Sequence, residues 1–248
     1  MNPITLFFHK LGSPPWFYAF AGKLIPWLWA GFGLLGAWAL WQGLFVVPAD
    51  YLQGESFRIM YIHVPAAWMS MMIYALMAFM GFIALVWRIR MMEVLAMCSA
   101  PVGAAFTLVA LVSGAIWGRP TWGTYWVWDA RLTSELVLFF LYLGVIGLHA
   151  AIDEPRKAAR AASLLALVGV VNLPIIYFSV KWWNTLHQPP SISITGESTI
   201  HGSMLWPLLA MAVATKFFYG ANLLTRARVR LLEQDRNKGW VAALVGDK

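Results

Sequence analysis

The chain has 248 residues, of which 60% are hydrophobic and 12% charged, and its mean hydropathy is +0.67. Such a composition excludes an ordinary soluble domain. The formal net charge of +7 would suit a nucleic-acid binder, but the basic residues sit between and after long apolar runs, so the sequence points to a lipid bilayer and to no nucleic acid.

Six apolar runs are long enough to cross that bilayer, at about 24–47, 64–87, 95–116, 132–151, 162–180 and 204–224; one helical crossing takes roughly 20 residues. Backbone groups in lipid must be paired within their own segment, so the runs are predicted to be helices. The fold class that follows is all-α: a polytopic membrane protein, six helices in one bundle, with residues 1–248 forming a single integral domain. Thirteen Lys and Arg residues fall on the side of both termini, against Arg58, Arg119, Arg131 and Lys181 on the other. This bias predicts cytoplasmic termini and, in a bacterium, a periplasmic opposite face. Cys98 is the only cysteine, which excludes a disulfide within the chain.

Residues 1–23 are too polar and broken for a cleavable signal peptide, so the first span is expected to remain in the mature protein. An interfacial segment is expected around Trp16–Phe20. The first outer loop, 48–62, leads into YIHVPAAW, where Pro65 suits a first helical turn and places His63 at the outer end of the second helix. Met69, Met71, Met72, Met77 and Met80 follow, and read as packing or lipid-facing side chains. Pro101 and Gly103 are expected to kink the third span.

The stretch WGRPTWGTYWVWDARLTSE comes next, and its part at 117–132 is predicted to be a periplasmic loop. It holds Trp117, Trp122, Tyr125, Trp126 and Trp128, with Asp129, Arg131 and Glu135 directly after them. Tryptophan and tyrosine suit a membrane boundary because the ring is apolar while its polar atom reaches water. Either this is a rich aromatic belt or it is a surface for something flat and apolar. The connection DEPRKAAR reads as a solvated inner turn. In the fifth span Asn172 and Pro174 loosen the helix or supply a polar contact between helices. A second outer loop, 181–203, carries Trp182, Trp183, His187, Pro189, Pro190, Glu197 and His201. Lys216, in the last span, is expected to snorkel to the inner boundary, and RARVRLLEQDR is a basic amphipathic tail suited to anionic lipid or a cytoplasmic partner.

His63, the tryptophan loop and His187 share one side of the membrane. Two neutral imidazoles beside an aromatic-lined slot form a candidate axial pair for haem iron. Arg119, Arg131 or Lys181 would serve as charge-assisted donors to propionates. Asp129 has three readings: it orients a tryptophan N–H, caps the next helix or pairs with Arg131. His9 and His149 lie toward the inner face, and His201 doubles as a helix-start residue. Zinc would need three or four converging ligands, and neither an ATP-binding nor a dinucleotide-binding motif is present.

WGTYWVWDARLTSE resembles the tryptophan-rich (WWD) signature of the CcmC family, the haem-handling membrane proteins of cytochrome c maturation. With six spans and flanking histidines, the likeness extends over essentially the whole chain. It implies a periplasm-facing platform that binds haem b and transfers it to the haem chaperone CcmE, working with the CcmA–CcmB ABC complex and the small membrane protein CcmD. The expected role is presentation rather than enzymatic catalysis. His63 and His187 match the axial pair, while Trp122, Trp126, Trp128 and Asp129 match the signature core, with Gly123 as its small hinge residue. Tyr125 stands where some relatives carry tryptophan, and its ring can still stack. The alternatives are a haem-translocating transporter subunit, which needs a continuous polar path, and a structural subunit whose aromatic loop docks a partner.

Overall fold

A computed structural model describes residues 2, 10, 12–188, 191–192 and 198–246. His9, Pro189, Pro190 and Glu197 lie outside the described residues. The six crossings are α1 (Pro14–Trp41, extended by a π-helical turn over Gln42–Val46), α2 (Met60–Trp87), α3 (Arg90–Trp122), α4 (Ala130–Ala151), the pair α5 (Pro155–Gly169) and α6 (Asn172–Trp182), and α7 (Gly202–Gln234); a short α8 (Gly239–Gly246) follows. Every crossing is longer than its apolar run. α1 starts ten residues before the predicted boundary, because Pro14 and Pro15 open a helix and Lys23 interrupts the hydropathy without interrupting the helix.

Helix α2 packs along α3 and α1 along α7, with α4, α5 and α6 completing the bundle. The core between them holds Met69, Ile73, Tyr74, Met77, Leu138, Tyr142 and Ile176, so the methionines of α2 serve packing. Tyr74 and Tyr142 meet edge to face at 5.0 Å, and Tyr142 donates to the Ser70 carbonyl at 2.7 Å. Gly103 lets the Tyr142 ring lie directly on α3, where any Cβ would overlap it.

Two local features, at Pro65 and Lys216, depart from expectation, and a third, at Asn172 and Pro174, bears it out. Pro65 stands in the second turn of α2, because a 3-10 turn over Glu55–Ile59 and the residues Met60 and Tyr61 extend the helix outward. The fifth crossing is broken at Val170–Val171; Pro174 has no N–H to return to the Val170 carbonyl, which instead accepts from Leu173 at 3.0 Å. Asn172 uses the break to donate to the Ser134 carbonyl of α4 at 2.8 Å. Lys216 does not snorkel inward. Its Nζ donates to the Ala212 carbonyl at 3.1 Å, one turn toward the N-terminus, since helical side chains lean toward that end.

At the terminal side, Phe17 and Ala21 of α1, Met91 and Val94 of α3 and Ala227 and Leu231 of α7 pack together. Asp235, 1% exposed, closes this end. It accepts from Arg90 at 2.7 and 3.3 Å, from the Trp240 indole at 3.0 Å and from Lys238 at 3.0 Å. Burial alone would raise the Asp235 pKa, but the donors from Arg90, Lys238 and Trp240 outweigh it and hold the group below the ordinary 3.8. A folded-state pKa below the unfolded one contributes stability above the unfolded value, and that contribution disappears as pH falls through the folded value. Asp235→Ala is therefore expected to cost about 1–2 kcal/mol near neutral pH, reduced from a fully buried pair because Arg90 reaches solvent. Denaturation in detergent at pH 7 and at acid pH measures this, and the difference from the unmodified chain should close as the pH drops.

Candidate functional site

At the opposite end of the bundle a narrow cavity opens between α2, α3, α4 and the loop after α6. His63 and His187 both line it, together with Trp117, Trp122, Trp126, Arg131, Glu135 and Gln53. Aromatic rings flank each imidazole: Trp117 lies edge-on to His63 at 5.7 Å, and Trp122 is tilted against His187 at 6.3 Å.

The two imidazoles are prepared alike. His63 Nδ1 lies 3.0 Å from the Ala110 carbonyl and 3.2 Å from Ser113 Oγ. His187 Nδ1 lies 2.9 Å from the Gln188 carbonyl. A carbonyl only accepts, so each Nδ1 carries the proton and each Nε2 keeps a lone pair. Among the described residues no hydrogen bond engages either Nε2. Burial lowers the His187 pKa from its ordinary 6.5, and the positive charge of Arg131 lowers it further, outweighing the hydrogen bond to Gln188 and the charge of Asp129. A neutral imidazole with a free Nε2 is the form that ligates a metal.

Only part of the tryptophan-rich stretch is irregular. Trp117 through Trp122 are helical, since α3 runs on until Gly123, at φ +80°, caps it with its N–H on the Arg119 carbonyl at 3.1 Å. Gly123 is thus a left-handed helix cap, a conformation that suits glycine. Trp122 and Trp126 face the cavity, and the Trp126 Nε1 is buried with no partner among the described residues. Trp128, 76% exposed, stands edge-on to Trp126 at 5.4 Å and points outward. Tyr125 is 59% exposed with the Arg119 guanidinium over its ring at 5.8 Å. Arg119 also donates to the Gly123 carbonyl, so it braces the loop and does not line the cavity. Neither Gly123 nor Tyr125, Trp128 or Asp129 lines it.

Asp129 acts from behind. Its Oδ1 accepts from the Leu132 N–H at 2.8 Å as the N-cap of α4, and its Oδ2 accepts from Thr185 Oγ1. Thr185 Oγ1 in turn accepts from the His187 N–H at 3.1 Å. Of the three readings of Asp129, the structure has the cap; the other oxygen reaches the histidine loop.

Three contributors escape sequence reasoning, and a fourth, Glu135, is named there without a role. Thr185 carried no signal. Gln53 reaches in from the first outer loop, accepting from the Trp117 indole at 2.8 Å. Gly114 leaves room for His63, since a Cβ there would come within 2.8 Å of His63 Cε1. Glu135 lines the floor and accepts from Ser70 Oγ at 2.7 Å; its spacing of one turn from Arg131 placed both on one helix face. Arg131 donates to the Ile176 carbonyl at 3.0 Å. His201 caps α7, accepting from the Ser203 N–H at 3.3 Å, and His149 lines a different cavity near the inner end. Among the described residues no three His, Cys, Asp or Glu side chains converge as a metal centre.

Residues 7–242 match the family model for CcmC, heme exporter protein C. The chain belongs to the CcmC family. It is 49% identical over 243 residues to the heme exporter protein C of Escherichia coli K12, covering 96% of each chain. Identity is also 49% over 230 residues to the protein of that name from Bradyrhizobium diazoefficiens, covering 90% of this chain and 87% of the relative. A putative cytochrome c biosynthesis ccmC-like mitochondrial protein of Marchantia polymorpha is 44% identical over 215 residues, covering 87% and 90%. Membership and the six apolar helices make this a multi-pass inner-membrane protein with a part in cytochrome c biogenesis.

Two outcomes follow from the geometry. His187 should titrate below the ordinary 6.5, with the proton of its neutral form on Nδ1; nitrogen-15 NMR of histidine-labelled protein measures it, and a midpoint at or above 6.5 would contradict the burial. Gly114→Ala should push the His63 ring from the Ala110 carbonyl and destabilise the protein by about 1–3 kcal/mol, the usual cost of overpacking, seen as a lowered melting temperature.

Proposed function

We propose that this chain binds haem b in the cavity between His63 and His187 on the periplasmic face and passes it to the haem chaperone CcmE, in concert with a CcmA–CcmB ABC complex and CcmD. The observation that carries the reading is the matched state of the two imidazoles, each with Nδ1 committed to a backbone carbonyl and Nε2 free in one aromatic-walled cavity. Both are the ligand form that haem iron takes. Names given to the relatives, heme exporter protein C among them, agree with a haem cargo.

The remaining residues divide the work. Trp122 and Trp126 offer apolar faces for the macrocycle, and the unpartnered Trp126 indole N–H is a ready donor to a carboxylate on its edge. Arg131 is the propionate-pairing candidate that lines the cavity, whereas Arg119 belongs to the loop. Asp129 and Thr185 position His187. Trp128 and Tyr125, turned outward, are available to the receiving chaperone. Haem supplies the iron chemistry, and the protein's own part is to bind, orient and exclude water; no acid, base or nucleophile of this chain is assigned a bond-changing step.

Purified protein should carry haem with the visible spectrum of two nitrogen ligands. His63→Ala and His187→Ala should each change that spectrum and reduce haem delivery to CcmE by at least about tenfold, the loss of one good ligand. An unchanged spectrum with full delivery in both variants would defeat the axial assignment.

A further inference from the structure

Lys216 lies ten residues from Trp206 and ten from Arg226 on α7, about 15 Å each way at 1.5 Å per residue. Trp206, 66% exposed, suits the outer boundary and Arg226 the inner one. The hydrocarbon between them is about 30 Å thick, so Lys216 stands at its centre, and it stands there on the exterior of the bundle. Its ammonium has three donors and reaches the Ala212 carbonyl, which Thr215 Oγ1 also uses at 3.0 Å. Among the described residues no carboxylate pairs with it. A charge facing lipid at this depth is unfavourable on every scale, and such residues ordinarily pair with another polar group inside the membrane.

The surroundings suit a second helix. Trp206, Val213 and Lys216 fall at helical spacing along one side of α7, and all three are exposed. We propose that this face is an intramembrane docking surface for a transmembrane helix of a different polypeptide, one that carries an Asp or Glu at mid-bilayer depth opposite Lys216. A lipid phosphate sits at the interface, half the hydrocarbon thickness away. A second copy of this chain has no suitable carboxylate: within the spans Glu135 is turned into the outer cavity, Glu93 lies in the first turn of α3, and Glu233 lies in the last turn of α7, paired with Arg230. The surface is independent of the haem reading, since none of its residues lines that cavity.

The test reconstitutes the full chain in phosphatidylcholine vesicles with fluorescent polyleucine helices of about 22 residues, long enough to span, bearing a central Glu, Gln or Leu. Energy transfer should show the Glu helix associating at least about tenfold more strongly than the Leu helix, a difference of about 1.4 kcal/mol. Lys216→Met should erase that preference, and Lys216→Glu should transfer it to a helix bearing a central Lys. Lys216→Met should also keep the melting temperature of the isolated chain, because the side chain it replaces makes no ion pair there. Equal association of Glu and Leu helices, a preference that survives Lys216→Met, or a large fall in melting temperature in that variant would each overturn the proposal.

Discussion

One oxygen of Asp129 holds the first turn of α4, and the other holds Thr185, whose hydroxyl receives the His187 backbone. Two loops that are 56 residues apart in sequence are thereby fixed to the same helix start. The cavity depends on this junction. His63 comes from a helix and would stay in place without help; His187 lies in a loop beyond the end of α6 and has a defined position because a carboxylate anchors it. The cap is also electrostatically natural, since a helix N-terminus favours negative charge.

Much of the fold was legible because a bilayer admits few solutions. An apolar run of about 20 residues must be a helix, and six runs appeared as six crossings. Boundaries were harder to read, for local reasons. Hydropathy stops at Lys23 and Ile116, whereas hydrogen bonding continues back to Pro14 and on to Trp122. Gly118 and Pro120 read as loop residues, yet Gly118 is buried within α3 under the Trp122 ring.

The site was legible in its ligand types and less so in its geometry. Pro65, read as a first-turn proline, put His63 at a helix end, and the shared face suggested His187. Nothing in spacing could separate Trp126, which faces inward, from Trp128, which faces out, because an irregular turn has no fixed period. Arg119 and Arg131 looked equivalent as cations, but one is tied to the Gly123 carbonyl and the other to the Ile176 carbonyl. The Asp235 cluster at the other end was invisible for a related reason: its partner Arg90 is 145 residues away, and a pairing of that kind exists only once the helices have met.

The break at Val170–Val171 also has a mechanical meaning. Asn172 of α6 donates to a main-chain oxygen of α4, and Arg131 of α4 donates to a main-chain oxygen of α6. These reciprocal stitches fasten the short outer half of the fifth crossing to its neighbour while the interruption uncouples it from α5. The half-helix leading to the His187 loop is therefore braced on α4, the same helix whose first turn anchors that loop through Asp129 and Thr185.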